Sequence, residues 1–243
     1  MATRQIIDLS IEVHKDLKVY PGVSRPLIYE VQNHKEFAVS METIPHGVSE
    51  LAAHSIIITG DHVGTHIDSW YHFNPDAPSV EGIPLEYCFG DGVVLDLSHK
   101  GPGAEITVDD VRNALSKIDY QLKPLDIALI RTDAAKLIET DAYLTDHPGM
   151  TKEATRWLID QGIKVMGIDA IGFDIPVSRM FELKKFWESH RVMREAEYYH
   201  LENLCNLDKI PVSYGFQVAV FPLKLRGASA SPVRAVAIIE NSE

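Results

Sequence analysis

Cysteine is scarce in this chain. Two in 243 residues, Cys88 and Cys205, are too few for a disulfide framework, and both are expected to behave as small buried apolar residues. Positive charge is in deficit as well. Twenty-three Lys and Arg stand against 35 Asp and Glu, a formal net charge of −12, which argues against a nucleic-acid backbone or an anionic membrane as partner. No apolar run approaches membrane-spanning length, and the opening M-A-T-R-Q-I-I-D-L-S mixes charged and apolar residues too early for a signal peptide. A cytoplasmic location is expected. No G-x-S-x-G elbow for a nucleophilic serine occurs. Low-complexity linkers and internal repeats are missing too, so residues 1–243 are read as a single domain.

What is present suits a soluble protein with a sizeable core, at 45% hydrophobic and 24% charged residues. Residues 6–13 alternate apolar and polar and predict a strand. Residues 14–50 show weak periodicity and read as loops and strand fragments. Residues 55–59, S-I-I-I-T, are β-branched and continuous, the pattern of a buried strand. From residue 93 a regular alternation begins: strand 93–97, helix 107–118 opened by a Thr107/Asp110 capping box, strand 126–132, helix 151–161 capped by Thr151, strand 165–169. That order predicts parallel pairing through right-handed crossovers. Residues 178–199 read as helical. The tail predicts strands at 216–225 and 234–240, joined by a loop at 226–232. The expected fold is α/β with a mixed sheet, parallel in the middle and antiparallel at the ends.

Chemistry is concentrated in G-D-H-V-G-T-H-I-D-S-W-Y-H-F, residues 60–73, which holds three histidines and two aspartates. His62, His66, Asp68 and His72 share parity, so a strand would project them to one face. A straight strand rising about 3.3 Å per residue would, however, separate His62 from His66 by roughly 13 Å. A helix would turn Asp68 away from both. Gly64, able to take positive φ, lets the chain bend so that His62, His66 and Asp68 face one point. Two imidazoles and one carboxylate form a three-ligand set with open positions, a catalytic rather than structural arrangement. Zinc and manganese both accept it. His72 lies just beyond the triplet and suits a proton carrier. The histidines at 14, 34, 46, 54, 99 and 147 have no partner that spacing identifies.

The same stretch resembles the H-x-G-T-H-x-D-x-P-x-H-F signature of the cyclase-like metal-dependent hydrolases, a family that includes bacterial kynurenine formamidase and isatin hydrolase. N-P-D-A-P-S-V-E-G-I-P-L-E, G-V-V-L-D-L-S, I-A-L-I-R-T-D, V-M-G-I-D-A and P-L-K-L-R-G-A-S-A-S-P-V-R-A-V-A-I are similar to later parts of the family, so the resemblance runs from about residue 55 to the end and takes in the I-I-D-L-S opening. The resemblance implies a swivelling β/β/α architecture. It also implies that a His and a Glu twelve positions apart complete the metal environment. His190 and Glu202 have that spacing, with His200 the rival histidine and Glu195 or Glu197 the rival glutamates. A second ion would then be bridged by Asp68 and Glu202. Where the family has Pro, this chain has Trp70, a large apolar surface expected to bind substrate or pack in the core. Arg131, Asp169 and Asp174 suit structural ion pairs equally well and stay outside the expected site.

These readings predict a homo-oligomeric hydrolase of a small molecule. It would use one or two divalent ions to cleave a non-peptide C–N bond in an arylformamide or cyclic amide, with His72 moving the proton. Two other functions fit the same residues: a cyclase or lyase on a small carbonyl compound, and a non-catalytic metal-binding protein.

Overall fold

The computed structural model describes residues 3–241. In chain order the strands are β1 (Thr3–Asp8), β2 (Leu27–Gln32), β3 (His54–Ile58), β4 (His66–Asp68), β5 (Phe89–Asp96), β6 (Glu105–Ile106), β7 (Ile127–Arg131), β8 (Gly149–Met150), β9 (Val165–Ile168), β10 (Tyr199–Glu202), β11 (Tyr214–Ala219), β12 (Ala230–Pro232) and β13 (Val236–Asn241). The α-helices are α1 (His34–Ser40), α2 (Val108–Lys117), α3 (Lys152–Asp160), α4 (Val177–Leu183) and α5 (Glu188–Arg191).

Nine strands form one sheet in the order β1-β13-β11-β5-β7-β9-β10-β4-β12. Pairing is parallel from β5 through β7 and β9 to β10, and antiparallel on both flanks, as the strand–helix alternation predicts. The central strands alternate between two cores. Val93, Leu95, Ala128 and Ile130 pack against α2 and α3, while Val94, Ile127 and Leu129 enter a second cluster with Leu201 and Val218 on the other face. A parallel strand covered on both faces must be apolar at every position, and the I-A-L-I run of β7 is wholly buried. Thr107 and Asp110 form the expected capping box on α2, and Thr151 caps α3.

Several expectations change. β1 ends at Asp8, because the Asp8 carboxylate accepts from Ser10 N and curls the chain. The 14–50 region contains a helix, α1, opened by a capping box of Asn33 and Glu36; weak periodicity hid it. Residues 178–199 are two short helices, since Lys184 and Trp187 both take left-handed backbone. That break lets the first turn of α5 donate two N–H groups, from Ser189 and His190, to the Asp174 carboxylate. The expected loop at 226–232 contains β12, which pairs with β4. Finally, β3 is not buried: with β2 it forms a separate two-stranded sheet whose side chains in β3 are all exposed.

Cys88 is buried, Cys205 is half-buried, and neither is bonded. Burial pushes both thiols up to about 11. Among the described residues, no helix is long and apolar enough to cross a membrane.

Gly64 has φ +71°, and a Cβ there would lie 2.6 Å from Val13 Cγ2. Gly64→Ala is therefore expected to lose about 1–2 kcal/mol of stability, read by urea denaturation, together with metal affinity, read by titration.

Candidate metal centre

The bend at Gly64 does what the spacing demands. His62 precedes it, and the chain then enters β4, where His66 and Asp68 share a face. Thr65 fixes the turn: its hydroxyl donates to the Asn203 carbonyl at 2.5 Å and accepts from Ile11 N at 2.9 Å. Beside β4 runs β10 in antiparallel register, with His200 opposite Asp68 and Glu202 opposite His66. Directly opposed residues bring their side chains together on one face of a sheet. Two H-x-[D/E] pairs, His66-Ile67-Asp68 and His200-Leu201-Glu202, thus converge from adjacent strands. His190 reaches the same point from α5, and His72 from the single turn at Trp70–His72.

The distances define the cluster. His66 Nε2 lies 3.3 Å from Asp68 Oδ1 and 3.5 Å from Glu202 Oε2. His200 Nε2 is 3.2 Å from Asp68 Oδ2, and His190 Nε2 is 3.5 Å from Glu202 Oε1. His62 Nδ1 is 2.9 Å from Asp68 Oδ1, and His72 Nε2 is 3.6 Å from Asp68 Oδ2. Asp68, His190, His200 and Glu202 can present one ligand atom each within 4.8 Å of one another, as can His62, Asp68 and His72.

The outward hydrogen bonds say what the centre is built to hold. His66 Nδ1 donates to the Gly64 carbonyl at 2.8 Å, which leaves the Nε2 lone pair facing two carboxylates. His190 Nδ1 donates to Asp174 at 2.5 Å. His62 Nε2 donates to the Ser229 hydroxyl at 2.9 Å, and Ser229 in turn donates to Asp61 at 2.8 Å. Such outer partners fix the tautomer and aim of metal-ligating histidines. Inside the ring, His66 Nε2, both Asp68 oxygens and both His200 nitrogens are buried without a hydrogen-bond partner. Buried acceptors facing one another are costly unless a cation stands between them. The donor set of imidazoles and carboxylates fits a divalent metal ion.

Titration behaviour agrees with crowding around Asp68. Burial opposes charge on Asp68, but His62 and His72 hold its carboxyl well below the usual range. Glu202 is likewise opposed by burial yet held down at about 2 by the adjacent imidazoles of His200 and His190. Burial would lower His190, but its hydrogen bond to Asp174 raises it to about 10. His72 goes the other way: burial lowers it to about 4.

The cluster opens into a cavity of about 340 Å³ lined by Tyr20, Val23, Phe73 and Trp187 as well as His62, Asp68, His72, His190 and Glu202. Every expected ligand is at the centre, and His72 stands at its cavity side. Three features were missed. His200 is present together with His190 rather than as its rival; the H-L-E alternation of β10 was the available signal. Asp174, set aside as an ion-pair residue, orients His190. Trp70, expected in the substrate wall, is absent from the cavity lining: its indole N–H donates to the Met193 carbonyl, and the ring packs against both cores. A buried indole needs such a partner, and Trp187 supplies the aromatic wall instead. Glu195 and Glu197 pair with Lys152 and Lys164. Asp169 anchors the turn at Thr132 and Asp133, and Arg131 pairs with Asp133 and Asp96.

A cyclase-family model, described as "Putative cyclase", matches residues 7–175. The chain belongs to the cyclase family. Among its relatives, a kynurenine formamidase from Paracidovorax citrulli is 29% identical, covering 96% of each chain. Another from Delftia acidovorans is 32% identical over 75% of this chain and 78% of its own. Among solved structures, isatin hydrolase A from Labrenzia aggregata, bound to benzyl benzoate, superposes with a TM-score of 0.82 at 25% identity. It covers 98% of this chain and 94% of that one. The cyclase match bears out the resemblance drawn from the histidine motif and, starting at residue 7, takes in the I-D-L-S opening as well.

Two outcomes are expected of this cyclase-family centre. His190 carries a proton at pH 7 when no metal is bound, so metal uptake releases it. Affinity then rises about tenfold per pH unit until the pH nears 10; calorimetry in buffers of different ionisation enthalpy measures the proton count. Asp174→Asn should weaken metal binding about 10–100-fold while far-ultraviolet dichroism stays unchanged.

Proposed function

We propose that the protein is a metal-dependent hydrolase of a small non-peptide C–N bond, in an arylformamide or a cyclic amide. The observation that carries this reading is the set of inward-facing imidazole lone pairs around two buried carboxylates, opening directly onto an aromatic cavity. The names of the relatives, formamidase and isatin hydrolase, point the same way, and the benzyl benzoate held by one neighbour is of a size and aromatic character suited to Tyr20, Phe73 and Trp187.

His62, His66 and Asp68 would hold one ion, and Asp68, His190 and Glu202, with His200 beside them, a second. Zinc or manganese suits this mixture of nitrogen and oxygen donors. A divalent ion in such a set polarises a carbonyl oxygen and makes a water molecule acidic near neutral pH. The chain's own residues then divide the work. Asp68 and Glu202 hold opposite sides of the centre, each with two oxygens where an imidazole has one free nitrogen. Tyr20, Phe73 and Trp187 exclude water from the ring face of the substrate and fix its plane against the reacting carbonyl.

His72 moves the proton. It is a quarter exposed at the side chain, against 1% for His66 and none for His200, so it can exchange with substrate where they cannot. Burial keeps it neutral at pH 7, with a lone pair ready to accept from the attacking water. Its low basicity then favours passing that proton to the departing nitrogen. Cytoplasmic action as a homo-oligomer completes the reading.

The test is turnover of N-formylkynurenine and of isatin in isotopically labelled water, before and after chelation. Hydrolysis leaves label in the acyl product and stops when metal is removed. Turnover without label in that product would favour the cyclase or lyase reading instead. His72→Ala should lower kcat by about 10²–10⁴-fold with metal content unchanged; an unchanged kcat would remove His72 from the mechanism.

A further inference from the structure

The chain turns sharply at residues 20–23, shortly before it enters β2. Val23 N–H donates to the Tyr20 carbonyl at 2.9 Å, and Gly22 has φ +95°. Proline in second place and a left-handed glycine in third are the signature of a type II turn, which Y-P-G-V encodes locally. A Cβ at Gly22 would meet nothing within 4 Å, so the glycine serves the backbone alone. Both ends of the turn, Tyr20 and Val23, line the cavity of the metal centre.

Two contacts tie the Tyr20 side chain to that centre. A Cβ on Gly172 would lie 3.1 Å from Tyr20 Cε2, so the ring sits close against backbone next to Phe173, whose N–H donates to Glu202 at 2.7 Å. At the phenol, Trp187 Nε1–H donates to the Tyr20 oxygen at 3.1 Å. Trp187 holds left-handed backbone three residues before His190. That conformation is costly for a residue with a Cβ, and it is kept where it aims this indole. The Tyr20 O–H itself donates to no group among the described residues.

Burial and the nearby charge of Glu202 push this phenol well above its usual range, so it keeps its proton at neutral pH. The other polar groups lining the cavity, His62, Asp68, His72, His190 and Glu202, belong to the metal centre, and the Trp187 N–H is spent on Tyr20. One fixed donor is left for a ligand atom away from the metal. A site built around such a donor discriminates against ligands that bring no acceptor to it. The acceptor it suits is neutral: no Lys or Arg lines the cavity, and Asp68 and Glu202 do, so a second carboxylate would be repelled.

We propose that Tyr20 is a specificity-determining residue whose O–H binds a ketone oxygen on the aromatic ring of the substrate, ortho to the scissile N-acyl group. The ring of Tyr20 lies one residue from the amide that holds Glu202, so its donor serves an acceptor close to the reacting group. An ortho ketone is such an acceptor, and conjugation keeps it in the plane of the ring. Trp187 is a positioning residue that acts through Tyr20: its N–H occupies the phenol oxygen and leaves the O–H for the substrate. The bond cleaved rests on the hydrolytic reading; the hydrogen bond to the ketone does not.

The ortho and para isomers of formamidoacetophenone differ only in where the ketone sits, and the metal-loaded protein is tested on both. In the wild type kcat/KM is expected to favour the ortho isomer about tenfold, mostly through KM, as one neutral hydrogen bond allows. Tyr20→Phe is expected to erase that preference, and Trp187→Phe to reduce it about threefold, each with native far-ultraviolet dichroism and metal content. A merely structural role would depress both isomers together and leave their ratio alone. The tryptophan variant keeps the test readable if Tyr20→Phe fails to fold. A wild type without ortho preference, or a preference that survives in Tyr20→Phe, would overturn the proposal. Calorimetric titration of the two isomers reads the same ratio without turnover. Ortho-selective binding that is lost in Tyr20→Phe, with neither isomer cleaved, would keep the assignment of Tyr20 and remove the hydrolytic reading alone. Cleavage of both isomers at equal kcat/KM would do the reverse.

Discussion

The structure turns on the mutual repulsion of buried acceptors. Asp68 and Glu202 are carboxylates taken almost wholly out of water, and the nitrogens of His66 and His200 face them without a proton donor between. Left alone, such a group would open to solvent or take up protons. Here it is held closed from outside. The Gly64 carbonyl, Asp174 and the Ser229–Asp61 pair each take an outward hydrogen bond from a ring, so the rings cannot turn to relieve the strain. A cation at the centre is the species that converts this arrangement from costly to stabilising, and folding and metal binding are therefore coupled.

The rest of the fold serves that geometry. Two strands from distant parts of the chain, β4 and β10, must lie side by side in a register that opposes Asp68 to His200 and His66 to Glu202. A slip of one residue would send all four side chains to the other face. Register is held by β12 on the far side of β4 and by parallel pairing of β10 with β9, with the wholly buried Ile67 and Leu201 pointing into the opposite core. Asp174 is placed by close packing rather than by a regular element: a Cβ at Gly149 would come within 2.1 Å of its carbonyl carbon, so only glycine lets β8 run past it. The left-handed residue Trp187 then turns the chain so that α5 presents both its N–H groups and His190 to that carboxylate.

The sequence by itself determined the local parts. Parity and a glycine were enough to bring His62, His66 and Asp68 together, because three residues within seven positions need one bend and no long-range contact. Apolar periodicity was enough for the β5–α2–β7–α3–β9 alternation, because each element carries its own caps and buried face. Tertiary structure alone decided the rest. His190 and His200 both enter the centre, although spacing presents them as rivals, because α5 and β10 approach it from different layers. Asp174 becomes the partner of His190 only when β8 passes within contact of it. Trp70 turns from the cavity because its indole nitrogen finds a carbonyl on a turn that is 123 residues away in sequence. Strand β3, expected to be buried, is exposed along its whole length among the described residues, because burial depends on what packs against a strand and a β-branched run records only its preference for a sheet.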